Sequence, residues 1–229
     1  MPLPRIAIID YGAGNLRSVA KAFEKLGFPP TVTTDPRVAA AADAVVLPGV
    51  GAAGDTMNNL AARGMVETIG NVIAAGKPFF GVCLGLQLLF ETSDEGGVDC
   101  MGVLPGTVRH LGGSVKVPHI GWNQVRLTRS HPLFEGVEGE PYFYFVHSYF
   151  ADPSDKALVA GTTDYGTNFC SFVAKENLVA TQFHPEKSGS LGLQLYDNFV
   201  RRIVGVGGAG DSGRAGTAIA SREQKAKGR

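Results

Sequence analysis

The sequence predicts an α/β fold, with a mainly parallel sheet flanked by helices and a β-rich second half. In the first half, apolar runs at 6–9, 31–34, 44–47 and 79–82 read as buried strands, and segments 16–26, 60–75 and 84–90 read as helices between or after them. Such alternation implies a sheet covered on both faces. In the second half, β-type runs follow at 102–108, 124–127, 142–145, 158–162, 169–173 and 178–182. A helix over 188–204 closes the fold, with Leu191, Leu195, Phe199 and Ile203 near helical spacing.

Each element ends in residues that say something about it. The run Ile6-Ala7-Ile8-Ile9 stops at Asp10 after four residues, far short of a signal or membrane helix. Gly12-Ala13-Gly14 then turns the chain toward 16–26, but Arg17 stands where a dinucleotide fingerprint needs its third glycine. Ala44 to Leu47 gives way to Pro48-Gly49-Val50-Gly51. Gly76-Lys77-Pro78 lacks the upstream glycine and the Ser/Thr of a phosphate loop, so no nucleotide cofactor is expected. From Gly205 the composition changes to Gly, Ala, Ser and charge without apolar periodicity. Residues 1–204 therefore read as one domain and 205–229 as a disordered tail.

Composition narrows the classes. With 229 residues, 44% of them hydrophobic, the chain can bury a substantial core. Twenty-one basic residues balance 21 acidic ones, so there is no electrostatic footprint for nucleic acid or an anionic membrane. Three widely spaced cysteines suggest neither a disulfide framework nor a metal site, and a reducing cytoplasm is the expected home.

One of them, Cys83, lies in Gly81-Val82-Cys83-Leu84-Gly85, where a strand turns into a helix. A thiol there has the nucleophile-elbow position, with flanking glycines that let the backbone bend and the N–H of Leu84 facing a developing oxyanion. The competing reading is a small buried core residue. At the end of the run 178–182, His184 is followed by Pro185 and Glu186, and residues two apart in extended backbone point the same way. Glu186 would then fix one imidazole nitrogen and leave the other to exchange a proton with Cys83; the competing reading is a surface turn at a strand end. The glycines of Pro48-Gly49-Val50-Gly51 suit a backbone that presents N–H groups to an oxyanion, although an ordinary glycine turn is the more favoured reading of this loop alone.

Gly81-Val82-Cys83-Leu84-Gly85-Leu86-Gln87 together with Phe183-His184-Pro185-Glu186 resembles the class I, triad-type glutamine amidotransferases. Within that class, Pro48-Gly49-Val50-Gly51, Pro118-His119-Ile120-Gly121-Trp122-Asn123, Lys187-Ser188-Gly189 and Asp10-Tyr11-Gly12-Ala13-Gly14-Asn15 resemble the glutaminase subunits of imidazole glycerol phosphate synthases. The likeness covers roughly 5–204. It implies a class I glutamine amidotransferase-like fold and a Cys83, His184, Glu186 triad. It also implies an oxyanion hole of Gly49, Val50 and Leu84, and a glutamine site at Gln87, Ser148 and Tyr149. His119, Trp122, Asn123, Tyr144 and Lys187 would meet or gate toward a partner, a (β/α)8-barrel cyclase that receives the ammonia. No cofactor and no metal are implied. A glutaminase for another acceptor, a free-standing hydrolase and a catalytically silent scaffold are the rival readings.

Overall fold

The computed structural model of the chain describes residues 2–12 and 14–205, so the expected tail lies outside the described residues from 206 onward. In chain order the elements of the first half are β1 (Ile6–Ile9), α1 (Leu16–Lys25), β2 (Thr31–Thr33), α2 (Pro36–Ala41), β3 (Ala44–Gly49), α3 (Ala53–Ala62), α4 (Met65–Ala74), β4 (Phe79–Cys83) and α5 (Leu84–Gln87). Then come β5 (Thr92–Ser93), β6 (Val98–Asp99), β7 (Gly106–His110), β8 (His119–Gln124), β9 (Arg126–Leu127), β10 (Tyr142–His147) and β11 (Tyr149–Pro153). The described residues close with β12 (Val159–Asp164), β13 (Asn168–Lys175), β14 (Leu178–Thr181), α6 (Gly189–Asn198) and a π-helical turn over Phe199–Val204.

The sheet is mixed. Strands β2-β1-β3-β4-β14 form a parallel core, and β13, β11, β7, β5 and β6 continue it, mostly antiparallel, with β12 and β9 branching from β13. Every residue of β1, β3, β4 and β14 is buried, as strands covered on both faces must be. One apolar layer joins α1 and the C-terminal helix to the sheet through Phe23, Phe80, Tyr196 and Phe199. The opposite layer packs Leu60, Ile69 and Leu86 against Val45, Leu47 and Phe79. Strands β8 and β10 pair only with each other, as an antiparallel ribbon.

Several expected elements change shape for local reasons. The helix expected over 60–75 is two helices, because Gly64 takes φ +67° and breaks the run at low cost. Helix α2 is an unexpected addition, started by Asp35, whose carboxylate accepts the Arg37 N–H at 2.8 Å ahead of Pro36. The helix expected to run to 90 ends at Gln87 and tightens into three-residue turns, Leu89 to Leu86 and Phe90 to Gln87. The N–H groups of Met101, Gly102 and Leu104 are spent on the carbonyls of Leu88, Phe90 and Leu89, so β7 starts at Gly106 rather than 102. Strand β11 was not expected, and the run at 124–127 divides between β8 and β9 around buried Val125.

Three glycines set the position of α5. A methyl group on Gly85 would run into the Leu47 carbonyl, one on Gly49 into the Gly85 nitrogen, and one on Gly81 would sit 2.8 Å from the Gly85 carbonyl oxygen. Gly85→Ala is therefore expected to lower stability by about 2–3 kcal/mol, read from urea unfolding, because the obstacle is backbone and cannot turn aside.

Candidate active site

Parallel pairing brings residues a hundred positions apart to one edge. Thr181 lies opposite Val82 on one side of β4, and Gly49 opposite Cys83 on the other. The loops leaving β3, β4 and β14 therefore emerge together at the carboxyl ends of their strands, where open α/β sheets place their sites.

Cys83 leaves β4 with φ +54° and ψ −107°, a strained backbone for a residue with a side chain, and is buried. His184 and Glu186 face each other with Nδ1 to Oε1 at 2.8 Å, and both side chains are 1% exposed. Glu186 is gripped further by the Asn15 amide, which donates to Oε1 at 2.7 Å, and by the Tyr196 hydroxyl, which donates to Oε2 at 3.3 Å. Among the described residues, His184 Nε2 is the one buried side-chain nitrogen or oxygen without a formed hydrogen bond, and the Cys83 sulfur is close enough to act on this imidazole. Burial pushes this imidazole down, but the Cys83 sulfur and then Glu186 outweigh it and lift His184 to about 10. The arrangement holds an imidazolium beside sulfur, with a carboxylate behind it.

The three residues expected to bind an oxyanion are not alike. Leu84 opens α5, so its N–H has no carbonyl one turn earlier to meet. Gly49 is the last residue of β3, pressed against α5. The N–H of Val50 donates to the Tyr11 hydroxyl at 3.1 Å, and that hydroxyl lies 3.4 Å from the Val50 carbonyl. One expected donor is thus already occupied. Burial, opposed by the bond to Val50, lifts the Tyr11 phenol to about 12, so it stays protonated.

A cavity of about 370 Å³ opens above Cys83, and Val50, Gln87, Glu95, Ser148, Tyr149 and Lys187 are among the residues on its walls. Gln87 is buried, its amide nitrogen donating to the Tyr149 carbonyl at 2.7 Å. Glu95 went unnoticed in the sequence because it stands in an acidic turn without a motif. Here one carboxylate oxygen accepts the Ala53 N–H at the start of α3, at 2.8 Å. Asn15 stands in the opening motif without an assigned role, and Tyr196 and Gln182 carry no sequence signal of their contacts with Glu186 and Cys83.

The ribbon β8–β10 carries most of the remaining candidates. His119 and His147 are register partners and bond Nδ1 to Nε2 at 3.0 Å, both buried. Asn123 reaches His119 Nε2 at 3.3 Å. On the outer side, Trp122 is 55% exposed and meets Tyr144 edge to face, and the Lys187 ammonium stands 5.8 Å from the Tyr144 ring centre. His119, Trp122, Asn123 and Tyr144 are thus one ribbon, with Lys187 bridging it to the cavity. Among the described residues, no group of three or more His, Cys, Asp or Glu is placed to hold a metal ion, and no helix is long and apolar enough to cross a membrane.

The chain is similar to known proteins. A family profile described as glutamine amidotransferase class-I matches residues 7–203. The chain is 51% identical to the imidazole glycerol phosphate synthase subunit HisH of Dehalococcoides mccartyi, strain CBDB1, over 87% of this chain and 98% of that one. It is 52% identical to the corresponding HisH subunit of Moorella thermoacetica, over 90% and 98%. In structure it resembles a glutamine amidotransferase from Thermotoga maritima, with a TM-score of 0.67 at 16% identity over 90% of this chain and all of that one. It also resembles the glutaminase domain of Trypanosoma brucei CTPS, with a TM-score of 0.62 at 16% identity over 86% and 94%. At such identities these two likenesses show the fold.

The buried histidines give a pH signature. Burial pushes His119 down to about 4 and His147 down to about 3, from an ordinary 6.5. As pH falls below 6.5 the unfolded chain takes up these protons before the folded one does, so folded stability drops. Urea midpoints should decline from about pH 6.5 to about 4, and a flat profile there would show that the pair is not held neutral.

Proposed function

This chain belongs to the class I glutamine amidotransferases, in the HisH branch, and is an enzyme that hydrolyses glutamine to ammonia for histidine biosynthesis; from that premise we propose which residues do the work and what receives the product. The observation that carries the assignment is His184, held by Glu186 on one nitrogen, free of any hydrogen bond on the other, and raised by the nearby Cys83 sulfur, at the ends of two neighbouring parallel strands. Cys83 is the nucleophile. Its sulfur attacks the side-chain amide carbon of glutamine, and the electron pair moves to the carbonyl oxygen, met by the Leu84 N–H and the loop Gly49–Val50. His184 gives its proton to the departing nitrogen, which leaves as ammonia. Water then attacks the thioester, His184 takes a proton back, and glutamate leaves. Glu186 keeps the imidazole in place throughout, with Asn15 and Tyr196 positioning the carboxylate.

The cavity supplies recognition of an amino acid. Gln87 and the backbone around Ser148 and Tyr149 form one wall, and Glu95 offers a carboxylate to the α-ammonium group. Residues 1–204 act as the amidotransferase domain.

Ammonia released into neutral water is mostly protonated and lost, so the reading includes a docked acceptor: a (β/α)8-barrel cyclase subunit forming a heterodimer with this chain in the cytoplasm. The joint products would be imidazole glycerol phosphate and an aminoimidazole carboxamide ribonucleotide. Ile120, Trp122 and Tyr142 are more than half exposed on adjacent strands of the ribbon, an apolar patch beside the cavity of the kind that marks a partner's seat. The partner also offers a control point, because the bond from Val50 to Tyr11 keeps one oxyanion donor turned away.

Glutamate production measured for the chain alone and with a cyclase plus its nucleotide ligand tests this. Strong activation is expected, lost in Cys83→Ala, with His184→Asn lowering kcat by on the order of a hundred- to ten-thousandfold. High activity without any partner would remove the cyclase from the reading. Val50→Gly and Tyr11→Phe should each raise the hydrolysis of the isolated chain, and rates no higher than wild type would rule out the proposed restraint.

A further inference from the structure

Gln182 is completely buried just beyond β14, and its side-chain nitrogen stands 3.6 Å from the Cys83 sulfur. An amide can present either end, and the neighbouring bonds decide which. The Tyr149 carbonyl only accepts, so Gln87 must meet it with Nε2, and the same nitrogen lies 3.2 Å from Gln182 Oε1. The end of Gln182 left to face sulfur is then the donor.

The same carbonyl anchors a second run of bonds. It accepts His147 Nδ1 at 2.8 Å, so His147 carries its proton there and accepts at Nε2 from His119 Nδ1. His119 in turn accepts at Nε2 from Asn123 Nδ2. The Asn123 amide is oriented independently, because Nδ2 also donates to the Asp164 carbonyl at 2.9 Å and Oδ1 accepts the Gln124 N–H at 2.8 Å. From Asn123 to Cys83, every polar atom has one consistent role.

We propose that Gln182 is a catalytic residue whose amide N–H stabilises the thiolate of Cys83, and that the run Asn123, His119, His147, Tyr149 carbonyl and Gln87 positions it. This rests on Cys83 being the nucleophile. A donor to an anionic acceptor is about twice as strong as a neutral pair, and more so where water is excluded. The bond acts twice. It holds sulfur as the thiolate before attack. When water adds to the thioester and the C–S bond breaks, the electron pair returns to sulfur, where the N–H is waiting.

Cys83 alkylation by iodoacetamide, followed by mass spectrometry of the full chain across a pH series, tests the proposal without any partner. Wild type should label at Cys83 at neutral pH, while Cys100 and Cys170, pushed by burial up to about 11 and about 12, stay unlabelled. Gln182→Met should slow labelling at that pH about tenfold, since a hydrogen bond to a charged group is lost. Gln182→Glu, the same shape with a repelling charge, should slow it further and gives the answer if the methionine variant does not fold. His119→Leu should slow it severalfold in the same direction. Identical profiles for wild type and the Gln182 variants would overturn the role of Gln182, and an effect at Gln182 with none at His119 would overturn the positioning run. A wild-type chain that labels at Cys83 at no pH of the series would instead remove the nucleophile.

Discussion

The structure depends on how closely the first turn of α5 lies against β3. Gly85 meets the Leu47 carbonyl with no room for a methyl group, and Gly49 and Gly81 are bare on the facing side. That proximity forces the chain to reverse within one residue, and Cys83 absorbs the reversal with a left-handed φ that costs about 1–3 kcal/mol. The cost is offset by what the turn places inside: Leu84, Leu86, Leu88, Leu89 and Phe90 are all essentially inaccessible to water. Packing energy gathered on one side of the turn keeps the sulfur raised on the other.

Two kinds of histidine result from one environment. His147 and His119 are neutral because burial offers them no counter-charge, and each spends its single N–H on a defined acceptor. His184 is just as dry, yet it is charged, because a carboxylate and a sulfur stand on its two sides. The contrast is carried by neighbours rather than by depth. A charge on His184 also helps to keep His147 neutral.

Much of this was legible because it is local. Strands β1, β3, β4 and β14 announce themselves as uninterrupted apolar runs, and the Cys83 elbow and the His184–Glu186 pair each sit in a short segment whose geometry follows from strand and turn alone. Where several weak constraints compete, the sequence misled. The helical periodicity of 60–75 continues through Gly64, but an available left-handed φ ended the helix there. Residues 101–104 have strand-like composition, yet their N–H groups close the turn after α5. Contacts between distant residues left no trace: nothing near Asn15 points to Glu186, and nothing near Tyr11 points to Val50.

The grip on Glu186 has a consequence for how the protein comes into being. Asn15 lies at the start of the first helix, whereas Glu186 and Tyr196 belong to the last stretch of the described chain. A ribosome releases these parts in order. Strands β3 and β4 and helix α5 are made about a hundred residues before Glu186, so Cys83 precedes its neighbour His184 and the asparagine amide precedes the carboxylate it holds. The grip of Asn15 on Glu186 can therefore close only after nearly all of the described residues have been made.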